Sequence, residues 1–261
     1  MKIASLACAA LAAMSIAQTA SAAVFFAATN GSNLTASATF DIVGGKLQVV
    51  LNNSSAVDVM VPTDVLTALF FNLSGGASQL GLGAGSSALA GGITYLGGVQ
   101  KDAASVAGQN VGGEWAYNSV STGSLPGTNA GISSTGLGLF GPPDRFDTGS
   151  NLGGPDSPDG LQYGITSTGD NLATGNGGGS GVMGNEITKH SVIFLLNFAP
   201  GFSLAQISNV SFQYGTDLSE PRTTCTVNCG GPPANEIPEP GSAALAGLAL
   251  LAAASVRRRK Q

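Results

Sequence analysis

A glycine pair set between two alternating segments constrains this chain most firmly. Ala36-Ser37-Ala38-Thr39-Phe40-Asp41-Ile42 alternates small or apolar residues with polar ones, and Lys46-Leu47-Gln48-Val49-Val50-Leu51 resumes the alternation after Gly44-Gly45. A period of two puts Ala36, Ala38, Phe40 and Ile42 on one face of a strand, and two glycines accept the positive φ angles of a tight hairpin turn. The segment reads as a β-hairpin with one buried face.

Three further segments extend that reading. Residues 64–73 (DVLTALFFNL) fit a helix or a buried strand, and Val65, Thr67, Phe70 and Phe71 favour the strand. Residues 191–198 (SVIFLLNF) form a short unbroken apolar run, as expected of a central strand buried on both faces. Residues 207–214 alternate again, with Val210, Phe212 and Tyr214 on one side. Pairing of the early strands with the late ones would bring the two ends of the body together. Between them, residues 74–184 are rich in Gly, Ser and Asn. A structureless loop of that length does not suit a compact domain, so short strands are expected there, with candidates at 92–97 and 113–120.

Composition agrees with a folded body. Charged residues make up 10% of the chain and apolar ones 43%, while Gly and Pro number 39 and 12 of 261. Low charge with ample apolar surface is not the signature of disorder. The expected fold class is all-β, a single jelly-roll-like β-sandwich with long Gly-rich loops.

Both ends differ from the body. Lys2, an apolar stretch from Ile3 to Ile16 and the small residues Ala20-Ser21-Ala22 fit a secretory signal peptide cleaved after Ala22. At the other end, Ile237-Pro238-Glu239-Pro240 precedes a 16-residue apolar run, Gly241 to Val256, and the basic cluster Arg257-Arg258-Arg259-Lys260. About 20 apolar residues are needed to span a bilayer, so this segment is a short, weak anchor. The basic cluster should stay on the cytoplasmic side, leaving the body outside. Pro238 and Pro240 keep the preceding segment extended and open to a protease.

This order of parts resembles the PEP-CTERM tail, with Ile237 where Val is commoner. The resemblance covers the tail alone. It implies export from a Gram-negative bacterium, transient anchoring in the inner membrane, and processing by an exosortase, a membrane protease. It also implies a link to exopolysaccharide and biofilm. The expected organisation is a signal peptide at 1–22, a β-sandwich at 23–230, a linker at 231–236 and a sorting tail at 237–261. The Sec translocon and signal peptidase act first, and the cell surface or exterior is the destination.

Removing both ends leaves five basic and 14 acidic residues, a net charge of about −9. Such a body lacks the clustered cations that nucleic acid or anionic lipid requires. Cys225 and Cys229 are its only cysteines, and outside the cytoplasm they are expected to form a local disulfide. Zinc would need more ligands, and His190 is the chain's only histidine.

Functional candidates in the body are sparse. Trp115 and Tyr117 are two residues apart and would share a strand face; exposed, they could stack on sugar rings, but the single Trp is expected in the core. Asp144, Asp147, Asp156 and Asp159 could offer oxygens to calcium, yet their spacing matches no EF-hand or nonapeptide repeat, and Asp beside Gly and Pro is an ordinary turn former. His190 reads as a strand-end residue. No nucleophile elbow, metal-binding His pair or phosphate loop is present in the sequence. The sequence points to a non-catalytic surface or matrix protein without a cofactor, with a lectin-like glycan-binding module as the alternative and a two-carboxylate hydrolase behind it.

Overall fold

Gly44 and Gly45 turn with φ of 58° and 75°, both in the left-handed region, and join two strands in full antiparallel register from Ala36 opposite Asn53 to Val43 opposite Lys46. The hairpin expected from the alternation is therefore present. The computed structural model describes residues 23–29, 33–100, 109–141, 151–153, 160–178, 181–227 and 229. The signal peptide, the 231–236 linker, the sorting tail and Asp144, Asp147, Asp156 and Asp159 lie outside the described residues.

The described residues are all-β. In chain order the strands are β1 (Val24–Thr29), β2 (Thr35–Val43), β3 (Lys46–Asn53), β4 (Leu66–Leu73) and β5 (Leu80–Gly81). There follow β6 (Ser87–Ala90), β7 (Thr94–Leu96), β8 (Val99–Gln100), β9 (Ala116–Ser119) and β10 (Ala130–Ser133). The last are β11 (Ile165–Thr166), β12 (Glu186–Lys189), β13 (Ser191–Phe198), β14 (Ile207–Tyr214) and β15 (Arg222–Thr224). All belong to the compact unit Ala22–Glu236. Short strands do interrupt the Gly-rich middle, including β7 and β9 at the two expected places.

Two curled sheets result. One runs β1-β2-β3-β13-β5, with β6 also on β13; the other runs β15-β14-β4-β11-β12-β7-β8, with β10 on β4 and β9 beyond it. Early strands pair with late ones, β3 with β13 and β4 with β14. The sheets face each other through the main core. Phe40 of β2 meets Phe71 of β4 with ring centroids 5.5 Å apart, and Phe26 of β1 stands edge-on to Phe40 at 5.6 Å. Such pairs contribute about 0.5–1.5 kcal/mol beyond the area they bury.

The strand β4 settles the ambiguity of residues 64–73 in favour of sheet. Its residues serve two cores: Leu66, Leu69, Phe71 and Leu73 enter the main one, while Ala68 and Phe70 join Ala116, Val120, Leu125, Leu137 and Phe140 in a second. That second layer is why the strand is apolar throughout. The apolar run at β13 has a different cause. Val192, Phe194 and Leu196 are fully buried, but Ile193 and Leu195 are only partly covered, so burial on both faces is corrected to burial on one. The strand is central, as expected, with β3 on one side and β5 and β6 on the other.

Candidate functional site

His190 occupies the point where the chain leaves one sheet for the other. It follows β12 of the second sheet and precedes β13 of the first. Its N–H donates to the Thr166 carbonyl at 3.0 Å, and its carbonyl accepts from Asn53 N–H at 3.0 Å. Holding both bonds while turning requires φ of 79°, a left-handed conformation. This costs a residue with a Cβ about 1–2 kcal/mol, a penalty that Gly escapes and Asn softens.

Among the described residues, Leu137 and Tyr163 are the other left-handed positions that are neither Gly nor Asn. Both bury their side chains, which offsets the strain with packing. His190 is exposed and gains no such packing. It lines a cavity of about 300 Å³ with Lys189, Gly92, Ile93 and Thr168.

Lys189 leads from this cavity to a buried acidic residue, Asp170. The Asp170 side chain is 3% exposed and accepts from Val59 N–H at 3.2 Å, from Asn176 Nδ2 at 3.1 Å and from the Tyr95 hydroxyl. Tyr95 also shares a 2.8 Å hydrogen bond with Thr166. Lys189 Nζ donates to the Asp170 carbonyl rather than to its carboxylate. Burial, together with the neighbouring Asp58 carboxyl, pushes the Asp170 pKa up to about 6. For Asp58, burial raises the value, but N–H bonds from Asn171 at 2.8 Å and Val59 at 3.1 Å prevail and hold it below the ordinary carboxylate range. The network ties residues 58–59, 95, 166–176 and 189 together across the chain. No spacing in the sequence marks it, because the partners come from four separate segments.

The remaining candidates are placed as follows. Trp115 is fully buried, edge-on to Phe194 of β13 with centroids 4.9 Å apart. Tyr117 is also buried, and its hydroxyl donates to the Ala77 carbonyl at 2.6 Å. Burial pushes its phenol well above the ordinary value. Both aromatics are core residues, and neither offers a face for a sugar to stack on. Cys225 and Cys229 are joined as a disulfide, with Cα atoms 5.5 Å apart. Pro238, Glu239, Pro240 and Arg257 to Lys260 lie outside the described residues.

The disulfide follows a seam between the sheets. β15 pairs with β14 in the second sheet, and the chain then reaches the first, where Thr226 and Val227 donate to the Ala27 carbonyl of β1 at 2.9 and 3.2 Å. The two ends of the body therefore lie side by side. Among the described residues no helix is long and apolar enough to cross a membrane, and no group of three or more His, Cys, Asp or Glu stands where it could hold a metal ion.

No curated protein and no solved structure matches the chain. One family model does, the PEP-CTERM protein-sorting motif, over residues 236–260. The match begins one residue before Ile237, includes Pro238-Glu239-Pro240 and ends on Lys260. It implies an exported, exosortase-targeted protein. The chain thus ends in a PEP-CTERM protein-sorting tail.

Proposed function

We propose that this chain is the precursor of a non-catalytic surface or extracellular-matrix protein of a Gram-negative bacterium. The Sec translocon exports it, and signal peptidase removes residues 1–22. Residues 241–256 then hold the precursor in the inner membrane, with Arg257, Arg258, Arg259 and Lys260 on the cytoplasmic side. An exosortase cuts at or near Pro238-Glu239-Pro240. The released body is the β-sandwich of residues 23–230, jelly-roll-like in form, with the linker 231–236. Its working place is the cell surface or the matrix outside it, in association with exopolysaccharide and biofilm.

The observation that carries this reading is the sorting-motif match at 236–260. The acidic body supports it by offering little to nucleic acid or anionic lipid, since the five basic residues left after trimming are scattered along the chain. Burial of Trp115 and Tyr117 withdraws from the glycan-binding alternative the aromatics on which it drew. Deleting the host exosortase tests the proposal. The protein is expected to accumulate uncut in the membrane fraction, and unchanged release of trimmed protein from that strain would contradict the assigned route.

A further inference from the structure

We propose that Lys189 and His190 form a binding site for the carboxylate of a small organic ligand, seated in the cavity walled by Gly92, Ile93 and Thr168. The backbone at His190 is the first reason. Its N–H and carbonyl bonds to Thr166 and Asn53 would serve a glycine equally well, and its side chain is exposed, so the fold does not ask for an imidazole at a φ of 79°. A strained residue whose side chain the packing does not use points to a use elsewhere. Here the residue lines a cavity.

The neighbouring charge is the second reason. Lys189 spends one of its three ammonium hydrogens on the neutral carbonyl of Asp170 and keeps two for another partner. The Asp170 carboxylate turns away to Val59, Asn176 and Tyr95. Lys189 and His190, one potential cation and one imidazole on adjacent residues, thus both line the cavity. Two such donors suit the two oxygens of a monoanionic carboxylate. Gly92 completes the cradle. A Cβ there would run into the Lys189 carbonyl, so only a glycine lets the two backbones approach this closely beside the cavity. Ile93 supplies an apolar wall, and a cavity of about 300 Å³ takes a ligand larger than the carboxylate itself.

The single histidine makes the test direct, because the imidazole of the full chain in detergent gives one Cε1–H resonance. Galacturonate, galactose and acetate are the probes. Galacturonate is expected to move that resonance saturably and galactose to leave it in place. His190→Asn is expected to weaken galacturonate binding, read by calorimetry, about fivefold or more. The same variant should melt no lower than the wild type, since Asn tolerates the left-handed backbone better. Acetate saturating at the same concentration as galacturonate would identify simple organic acids as the source of the carboxylate. Galacturonate saturating about tenfold lower would identify sugar acids. Equal movement with galactose, no saturable movement with either carboxylate, unchanged binding by His190→Asn, or a lower melting temperature for that variant would overturn the proposal.

Discussion

Val227 donates its backbone N–H to the carbonyl of Ala27 at 3.2 Å, fastening the last described segment of the body to its first strand. The disulfide between Cys225 and Cys229 brackets this contact. It closes a loop of only a few residues, so its loss is expected to cost about 1–2 kcal/mol. The double variant Cys225→Ser, Cys229→Ser should keep the fold and melt a few degrees lower. Thermal melts of the two proteins check this. In protein recovered from the cell exterior, both cysteines should resist alkylation until reductant is added.

Trp115→Ala should be severely destabilising, by about 3–5 kcal/mol, because it empties a fully buried site against Phe194. Urea denaturation measures the loss. A substitution confined to an exposed sugar-binding face would leave the midpoint nearly unchanged. Any drop in glycan binding by this variant must therefore be read together with its stability.

Gly131 of β10 lies under two aromatic rings. A Cβ there would stand 2.7 Å from Phe70 Cδ1 and 3.0 Å from Phe140 Cζ. Gly131→Ala is expected to cost about 1–3 kcal/mol through overpacking of the second core. A midpoint equal to the wild type in urea would show that the rings can move aside.

Asp170 gives stability a pH dependence of definite sign. Its folded-state pKa, about 6, lies above the ordinary value of 3.8. Between these values the folded state binds more protons than the unfolded one, so this group's contribution is full below pH 3.8 and is lost as pH rises through about 6. The loss is roughly 1–3 kcal/mol. Asp170→Asn mimics the protonated form and should remove that loss. Unfolding of both proteins at pH 4 and pH 7 tests it: the stability difference should move in favour of the variant as pH rises, and movement the other way would contradict the assignment.

The legible parts of the sequence were those fixed by local physics. Gly44-Gly45 and the alternation around it specify a hairpin because turn geometry and facing are short-range properties, and β2 and β3 follow them residue for residue. The apolar strings at β4 and β13 look alike, yet one is covered on both faces and the other on one. The difference lies in residues 120–140, which pack on β4, and no pattern within either strand reports it. The same limit hid the polar network. Asp170 lies 75 residues from Tyr95 and is joined to it only by the way β7, β11 and β12 assemble. His190 could be placed at a strand end, but its left-handed backbone follows from a change of sheet that a single sequence does not announce. The sorting motif at 236–260 was legible because it is a linear signal, recognised as a string of residues.

The most direct test of sorting is the mass of the C-terminus. Pro238, Glu239 and Pro240 are changed together to alanine, and the protein from membrane and extracellular fractions is analysed by intact mass. The wild type should appear outside the cell lacking residues 241–261, while the variant should stay in the membrane at the full length of the signal-cleaved precursor. Extracellular variant protein with the same trimmed C-terminus as the wild type would show that Pro238-Glu239-Pro240 is not the signal.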